Sequence, residues 1–203
     1  MNYWEIKYMD TANGPWLRVS LFVSGCAHAC PWCFNEKLWD INAWGPLTQE
    51  VITSIIEMVN QPHIAGFSLL WGEPFNPAFV VDLAKIVKRI KKETNKPIRV
   101  WSWFTFDALK QWDSQRELLK LCDVLVDWYF VQELLDLNLM WRWSSNQRVL
   151  DIKKSLSEDK AIWLEWIHDT NKYKDWYVSA YEKVVLKYLD NLKTNSHSSK
   201  FIS

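Results

Sequence analysis

The sequence predicts an α/β protein: a parallel sheet with its helices outside. Three observations carry this. Short β-branched, apolar runs alternate with longer stretches of helical periodicity, at the spacing of β-α-β units. The 203 residues are 49% apolar, enough for one sizeable core plus an appendage. No apolar run approaches the length of about 18 residues that a membrane span needs. Lys+Arg and Asp+Glu balance at 24 each, so there is no electrostatic footprint for nucleic acid.

Residues 17–23 are β-branched and apolar and end at Gly25, which makes them the first strand. Residues 47–59 place Val51, Ile55, Met58 and Val59 near helical spacing. Residues 67–70 are a short buried strand. Residues 78–94 form a basic amphipathic helix with Val81, Leu83, Ile86, Val87 and Ile90 inward. Its Lys/Arg run from Lys88 to Lys92 reads as a solvated face and a favourable helix C-terminus. Residues 98–102 are a strand, 108–121 a helix and 124–126 a strand. The Ser-Ser-Asn-Gln of 144–147 then reads as a turn and helix cap leading into 149–156, after the last sheet strand. Residues 161–166 alternate apolar and charged. Val178, Tyr181, Val184, Val185, Tyr188 and Leu192 make a further amphipathic helix, and 194–203 read as a disordered tail. The domain expectation is therefore 1–156, followed by an extension over 157–203.

The chemistry-bearing motif is Cys26-Ala-His-Ala-Cys30-Pro-Trp-Cys33, a C-x-x-x-C-x-x-C. A [4Fe–4S] cluster normally takes one cysteine per iron, so three thiolates leave one iron open to a substrate. Zinc is the plainer alternative, but it usually wants four ligands. His28 could be the fourth, yet it lies inside the same short loop. Cys122 sits in an apolar run and reads as a buried strand residue. Four cysteines in 203 residues are too sparse for a disulfide framework. Reduced, cluster-forming cysteines imply a reducing cytoplasm. His28, His63, His168 and His197 are scattered, and no convincing His/Asp or Ser/His set is present.

An ordered series of segments surrounds the motif. Asn13-Gly14-Pro15 precedes residues 16–25, and Phe34-Asn35 follows Cys33. Then come Trp71-Gly72-Glu73-Pro74, Val100-Trp101-Ser102-Trp103, Val126-Asp127-Trp128 and Arg142-Trp143-Ser144-Ser145-Asn146-Gln147-Arg148. From residue 1 to about 155 this set resembles the activating proteins of anaerobic ribonucleoside-triphosphate reductases, which are small radical S-adenosylmethionine (SAM) enzymes. The resemblance implies a shortened, open (β/α) partial barrel, with the C-terminal helical extension appended. It implies a [4Fe–4S] cluster on Cys26, Cys30 and Cys33, with SAM chelated at the open iron. It also implies that Trp32, Phe34, Trp71, Gly72, Glu73, Ser102, Trp103 and Asp127 lie around SAM, with Glu73 accepting its amino group. The implied reaction is one-electron cleavage of SAM, followed by hydrogen abstraction from a glycine Cα of the partner reductase. A low-potential donor such as flavodoxin would supply the electron. Arg142–Arg148 would sit near the active-site opening, where it could dock the partner's glycine loop. Other small radical SAM enzymes, such as pyruvate formate-lyase activases or deazaguanine-forming enzymes, share the cysteines and the Gly-Glu-Pro turn but not the Arg-x-Ser-Ser-Asn-Gln-Arg ending. A non-catalytic iron–sulfur or zinc-binding protein would share the cysteines alone.

One departure recurs. The family writes Gly where this chain has Trp16, Trp32, Trp71, Trp103, Trp128 and Trp143, and also at Trp44. Composition agrees: 5 Gly and 15 Trp in 203 residues, against a usual glycine share of roughly 7%. Several of these Trp fall in turn-like contexts where Gly has a physical reason to be. Trp39, Trp101 and Trp141 are Trp in the family too. Either the protein carries indoles in its SAM site, or its gene reads UGA as glycine and the written sequence does not. The second accounts for a one-to-one exchange at six motif positions, and it predicts left-handed backbone at Trp16, Trp128 and Trp143.

Overall fold

The computed structural model describes residues 1–30, 33 and 35–165. Seven strands make one sheet: β1 (Asn2–Asp10), β2 (Arg18–Val23), β3 (Gly45–Pro46), β4 (Gly66–Leu70), β5 (Ile98–Trp101), β6 (Val124–Asp127) and β7 (Arg148–Asp151). The strand order is β3-β1-β2-β4-β5-β6-β7. The four central strands β2, β4, β5 and β6 run parallel. β1, β3 and β7 are antiparallel to their neighbours. Five helices accompany the sheet: α1 (Gln49–Val59), α2 (Val80–Thr94), α3 (Phe106–Leu109), α4 (Asp113–Leu121) and α5 (Ile152–Ser157). Among the described residues no helix is long and apolar enough to cross a membrane.

The central strands are buried on both faces, as parallel strands usually are. Val19, Leu21, Phe67, Leu69, Val100 and Leu125 are all fully buried. Helices α1, α2, α4 and α5 contact one another in series. α1 presents Ile52, Ile55, Ile56 and Val59 to the core, and Thr48 caps its N-terminus by accepting from the Val51 N–H. α2 ends at Asn95, which takes the left-handed conformation (φ 51°) and so closes the helix.

Several expectations change. The strand β1 is additional to those read from the sequence. The 108–121 helix is two helices, α3 and α4, broken before Asp113. On α2, Val80 faces the core and Val81 is 52% exposed. Arg148–Asp151, expected to begin a helix, is instead the last sheet strand. β6 offers it an open edge, and Val126↔Val149 and Leu125↔Leu150 fill the register. Only Ile152–Ser157 is helical, capped by Asp151. The Arg142–Arg148 segment therefore leads into the last strand, which begins at Arg148, rather than following it. Beyond α5 the chain returns along β7: Asp151 N–H donates to Ile162 and Leu164 N–H to Val149. The helix expected over 178–192 and the tail lie outside the described residues.

Candidate active site

The C-terminal ends of β2, β4, β5 and β6 meet at one end of the sheet, where parallel sheets place their ligand sites. β2 leads through Ser24 and Gly25 into Cys26. Gly25 has φ 99°, and a Cβ there would lie 2.9 Å from the Phe79 ring. Its amide donates to Leu38 O (2.8 Å), its carbonyl accepts from Glu73 N (3.1 Å), and Cys26 N donates to Trp39 O (3.2 Å). The start of the cysteine loop is thereby tied both to the turn at Glu36–Leu38 and to the exit of β4. At that exit, Gly72 (φ 53°) passes so close to β2 that a Cβ would stand 2.6 Å from Val23 O.

Cys26, Cys30 and Cys33 are free thiols, half-buried, and all three line one cleft. Trp71, Gly72, Ser102, Trp103 and Trp128 line the same cleft. Burial, and then the neighbouring Cys33 and Glu73 charges, push Cys30 up to about 12. Burial and Glu73 also push the Cys26 thiol up. A bound cation would be needed to hold these thiols as thiolates. Three thiols around one cleft fit a cluster that uses three cysteines. Among the described residues, no trio of His, Cys, Asp or Glu is spaced for a single metal ion. Cys122 is buried at the α4–β6 junction, at the other end of the sheet, and its Sγ donates to Leu118 O. It is buried as expected but belongs to a helix end rather than a strand.

Glu73 is the hub of the strand ends. Its side chain is 1% exposed. Oε1 accepts from Ser102 Oγ (2.9 Å) and Phe75 N (3.0 Å), and Oε2 accepts from Trp103 N (2.9 Å). His28 Nε2 stands 3.2 Å from Oε2, with its ring edge-on to Phe104. His28 is therefore joined to the site, not a free loop residue. Asp127 is fully buried and committed elsewhere. It accepts from Phe106 N at the start of α3 (2.8 Å) and from Arg148 through both oxygens (2.9 and 2.5 Å). Neither Glu73 nor Asp127 lines the cleft surface, whereas Gly72, Ser102, Trp71 and Trp103 do. Trp32 and Phe34 lie outside the described residues.

The Arg-x-Ser-Ser-Asn-Gln-Arg segment closes the cleft from the β6 side. Gln147 Oε1 accepts from Trp143 N and Ser144 N, and its Nε2 donates to Trp128 O. Asn146 donates to Tyr129 O. Trp143 and Gln147 line the cleft. Arg142 is 3% exposed, with its guanidinium over Trp163, so its place is structural rather than at a docking face. Sequence reading missed Gln147, Phe130, Trp39 and Leu38 as cleft residues. Only Gln147 carried a signal, through its motif.

The tryptophans expected to stand at glycine positions are distinctive. Trp16, Trp44, Trp71 and Trp128 have φ of 62°, 66°, 58° and 80°, in the region that favours glycine. Trp103 and Trp143 do not, which corrects the expectation for Trp143: its amide is instead fixed by Gln147. Trp141, expected to be a true tryptophan, also has φ 53°, and its indole lies under Arg99 at 5.5 Å. Trp71 packs its ring among Trp4, Phe22 and Trp143 at 5.7–5.8 Å, and its buried indole N–H has no hydrogen-bond partner among the described residues.

The family model described as a 4Fe-4S single cluster domain matches residues 12–150. The chain is 43% identical over 152 residues to the anaerobic ribonucleoside-triphosphate reductase-activating protein of Escherichia coli K12, an alignment covering 73% of this chain and 97% of that protein. The protein of the same name from Vibrio cholerae is 41% identical over 72% of this chain and 96% of its own. That of Enterobacteria phage T4 is 32% identical over 73% and 93%.

Proposed function

Since this chain belongs to the family of anaerobic ribonucleoside-triphosphate reductase-activating proteins, we propose that it activates a class III ribonucleotide reductase by installing a glycyl radical. Cys26, Cys30 and Cys33 would hold a [4Fe–4S] cluster. When bound, that cluster would supply an electron at low potential to the sulfonium of S-adenosylmethionine. The single observation that carries this reading is the convergence of three free thiols on the one cleft where four parallel strands end.

The chain's own residues bind and orient. The backbone at Trp71–Gly72 forms the cleft wall where SAM would lie, with Ser102 and Trp103 beside it. Glu73 first braces this wall. An ammonium group approaching it would compete with His28, which makes the longest of its four contacts. Asp127 acts at one remove, fixing α3 and Arg148. The aromatic walls exclude water from a reaction that needs no general base. The strand order supports an open (β/α) partial barrel: four parallel strands lie side by side in chain order, with the helices that connect them packed in series. Residues 1–156 would be this domain and 157–203 an appended extension. A flavodoxin-like donor and a reducing cytoplasm complete the proposal.

The test is anaerobic reconstitution with iron and sulfide, followed by reductant and SAM. Close to four irons per chain and release of 5′-deoxyadenosine are expected. Stoichiometric zinc with no iron uptake would sink the proposal.

A further inference from the structure

One face of the sheet carries a second constructed feature at the end away from the cysteines. Arg18 on β2 is in register with Gly66 on β4, and Arg99 on β5 with Ser68 two residues further along β4, so both arginines project from the same face. They are 4% and 2% exposed. The chain makes room for them with glycine. A Cβ on Gly14 (φ 135°) would stand 2.8 Å from Arg18 Cδ and 3.2 Å from Arg99 Cδ, and one on Gly66 would stand 2.6 Å from Arg18 Nη2. These are two of only five glycines in the chain.

The two guanidinia differ in their partners. Arg18 donates to Ser68 Oγ (2.7 Å), Phe67 O (2.8 Å) and Pro97 O (3.1 Å), with Asp10 and Asp123 as counter-charges. Asp10 itself is bound by Asn13, Ser20 and the Ala12 amide. Arg99 has no ion pair among the described residues, and its buried Nε and Nη2 have no hydrogen-bond partner. Burial, and then Arg18, lower its pKa to about 9. Among the described residues its compensation is the faces of Trp101 (4.9 Å) and Trp141 (5.5 Å). A buried charge without a counter-ion is costly. Both arginines line a cleft bounded by Pro15, Trp16, Pro97 and Leu164.

We propose that Arg99, with Arg18 behind it, binds a phosphate-class oxyanion in this cleft. Arg99 presents its fork to the oxyanion as charge-assisted donors, and Arg18 adds field. Trp101 and Trp141 hold the guanidinium between them and orient it. Glycine at Trp16 would only widen the mouth.

The experiment is thermal unfolding and intrinsic tryptophan fluorescence of the full chain. Inorganic phosphate is titrated against chloride at constant ionic strength. At ten times its dissociation constant, phosphate should raise the folded-to-unfolded ratio about elevenfold. It should also change the emission of the indoles beside Arg99. Arg99→Met should weaken binding by about tenfold or more, and Arg99→Lys should retain part of it. A nucleoside triphosphate binding at least about tenfold tighter than phosphate would identify the oxyanion as part of a nucleotide. Equal affinity would identify it as free phosphate. Phosphate acting no better than chloride would overturn the proposal, as would undiminished binding by both variants. If Arg99→Met fails to fold, Arg99→Lys and the fluorescence titration of the unaltered chain still decide the matter.

Discussion

Replacing Trp16 and Trp44 by glycine should stabilise the protein. Both have left-handed backbone, at φ 62° and 66°. Both are also exposed, at 79% and 51%, so little apolar burial is given up. A residue with a Cβ costs about 1–2 kcal/mol in this conformation. Glycine returns roughly 0.5–1 kcal/mol of that through the freedom it gains in the unfolded chain. Trp44 gives up its ring contact with Trp4 at 6.3 Å, so Trp16 should gain more. The double variant should come out about 1.5 kcal/mol more stable, or roughly 3–6 °C in Tm for a chain of this size. The control is Trp39→Gly. That residue sits at φ −68°, ψ −37°, where glycine brings only its cost. Thermal and urea unfolding of the three proteins measures the difference. If Trp16→Gly and Trp44→Gly lower Tm as Trp39→Gly does, the reasoning fails. The gene offers a parallel reading: UGA at Trp16, Trp32, Trp71, Trp103, Trp128 and Trp143, and UGG at Trp39, Trp101 and Trp141. UGG at Trp71 and Trp128 would refute recoding outright.

Three further outcomes are expected. Alanine at Cys26, Cys30 or Cys33 should abolish 5′-deoxyadenosine release from the reconstituted enzyme, while Cys122→Ala should leave it intact. Arg148→Ala leaves the fully buried Asp127 without its bidentate partner. It should cost about 3–5 kcal/mol in denaturant unfolding, while Arg148→Lys recovers part. Burial raises the Cys122 pKa, so the folded state keeps the proton after the unfolded chain has begun to lose it. That contribution is intact below the ordinary thiol range of about 8.5 and is lost as pH rises above it. Cys122→Val should therefore flatten the alkaline fall in stability measured by urea unfolding at pH 8 to 10.

The parallel core was legible because its strands are short apolar runs and its helices have clear periodicity. β1 was not: Asn2–Asp10 mixes polar and aromatic residues, and its role as a strand depends on pairing with β2 across a loop. Val149 and Leu150 suit a helix or a strand equally, and the free edge of β6 decides. Whether Val80 or Val81 faces inward depends on one step of helix phase at an N-terminus without a side-chain cap. The cysteines announced themselves by spacing alone. The bonds from Glu73 to Ser102 and Trp103 did not, because those partners lie 29 and 30 positions further on and only the sheet brings them together. The unpaired Arg99 was invisible for the same reason: its neighbours come from four separate strands and loops.

The saturation of Glu73 has a consequence for motion. Amides of Phe75 and Trp103 and the hydroxyl of Ser102 share a single carboxylate, so the exits of β4 and β5 are joined through one side chain. His28 extends the joint to the cysteine loop. Opening one of these segments withdraws an acceptor from the others, which favours their opening together as one cooperative unit rather than as three independent flaps. A macromolecular substrate reaching this cleft would meet a rim that yields all at once or stays shut.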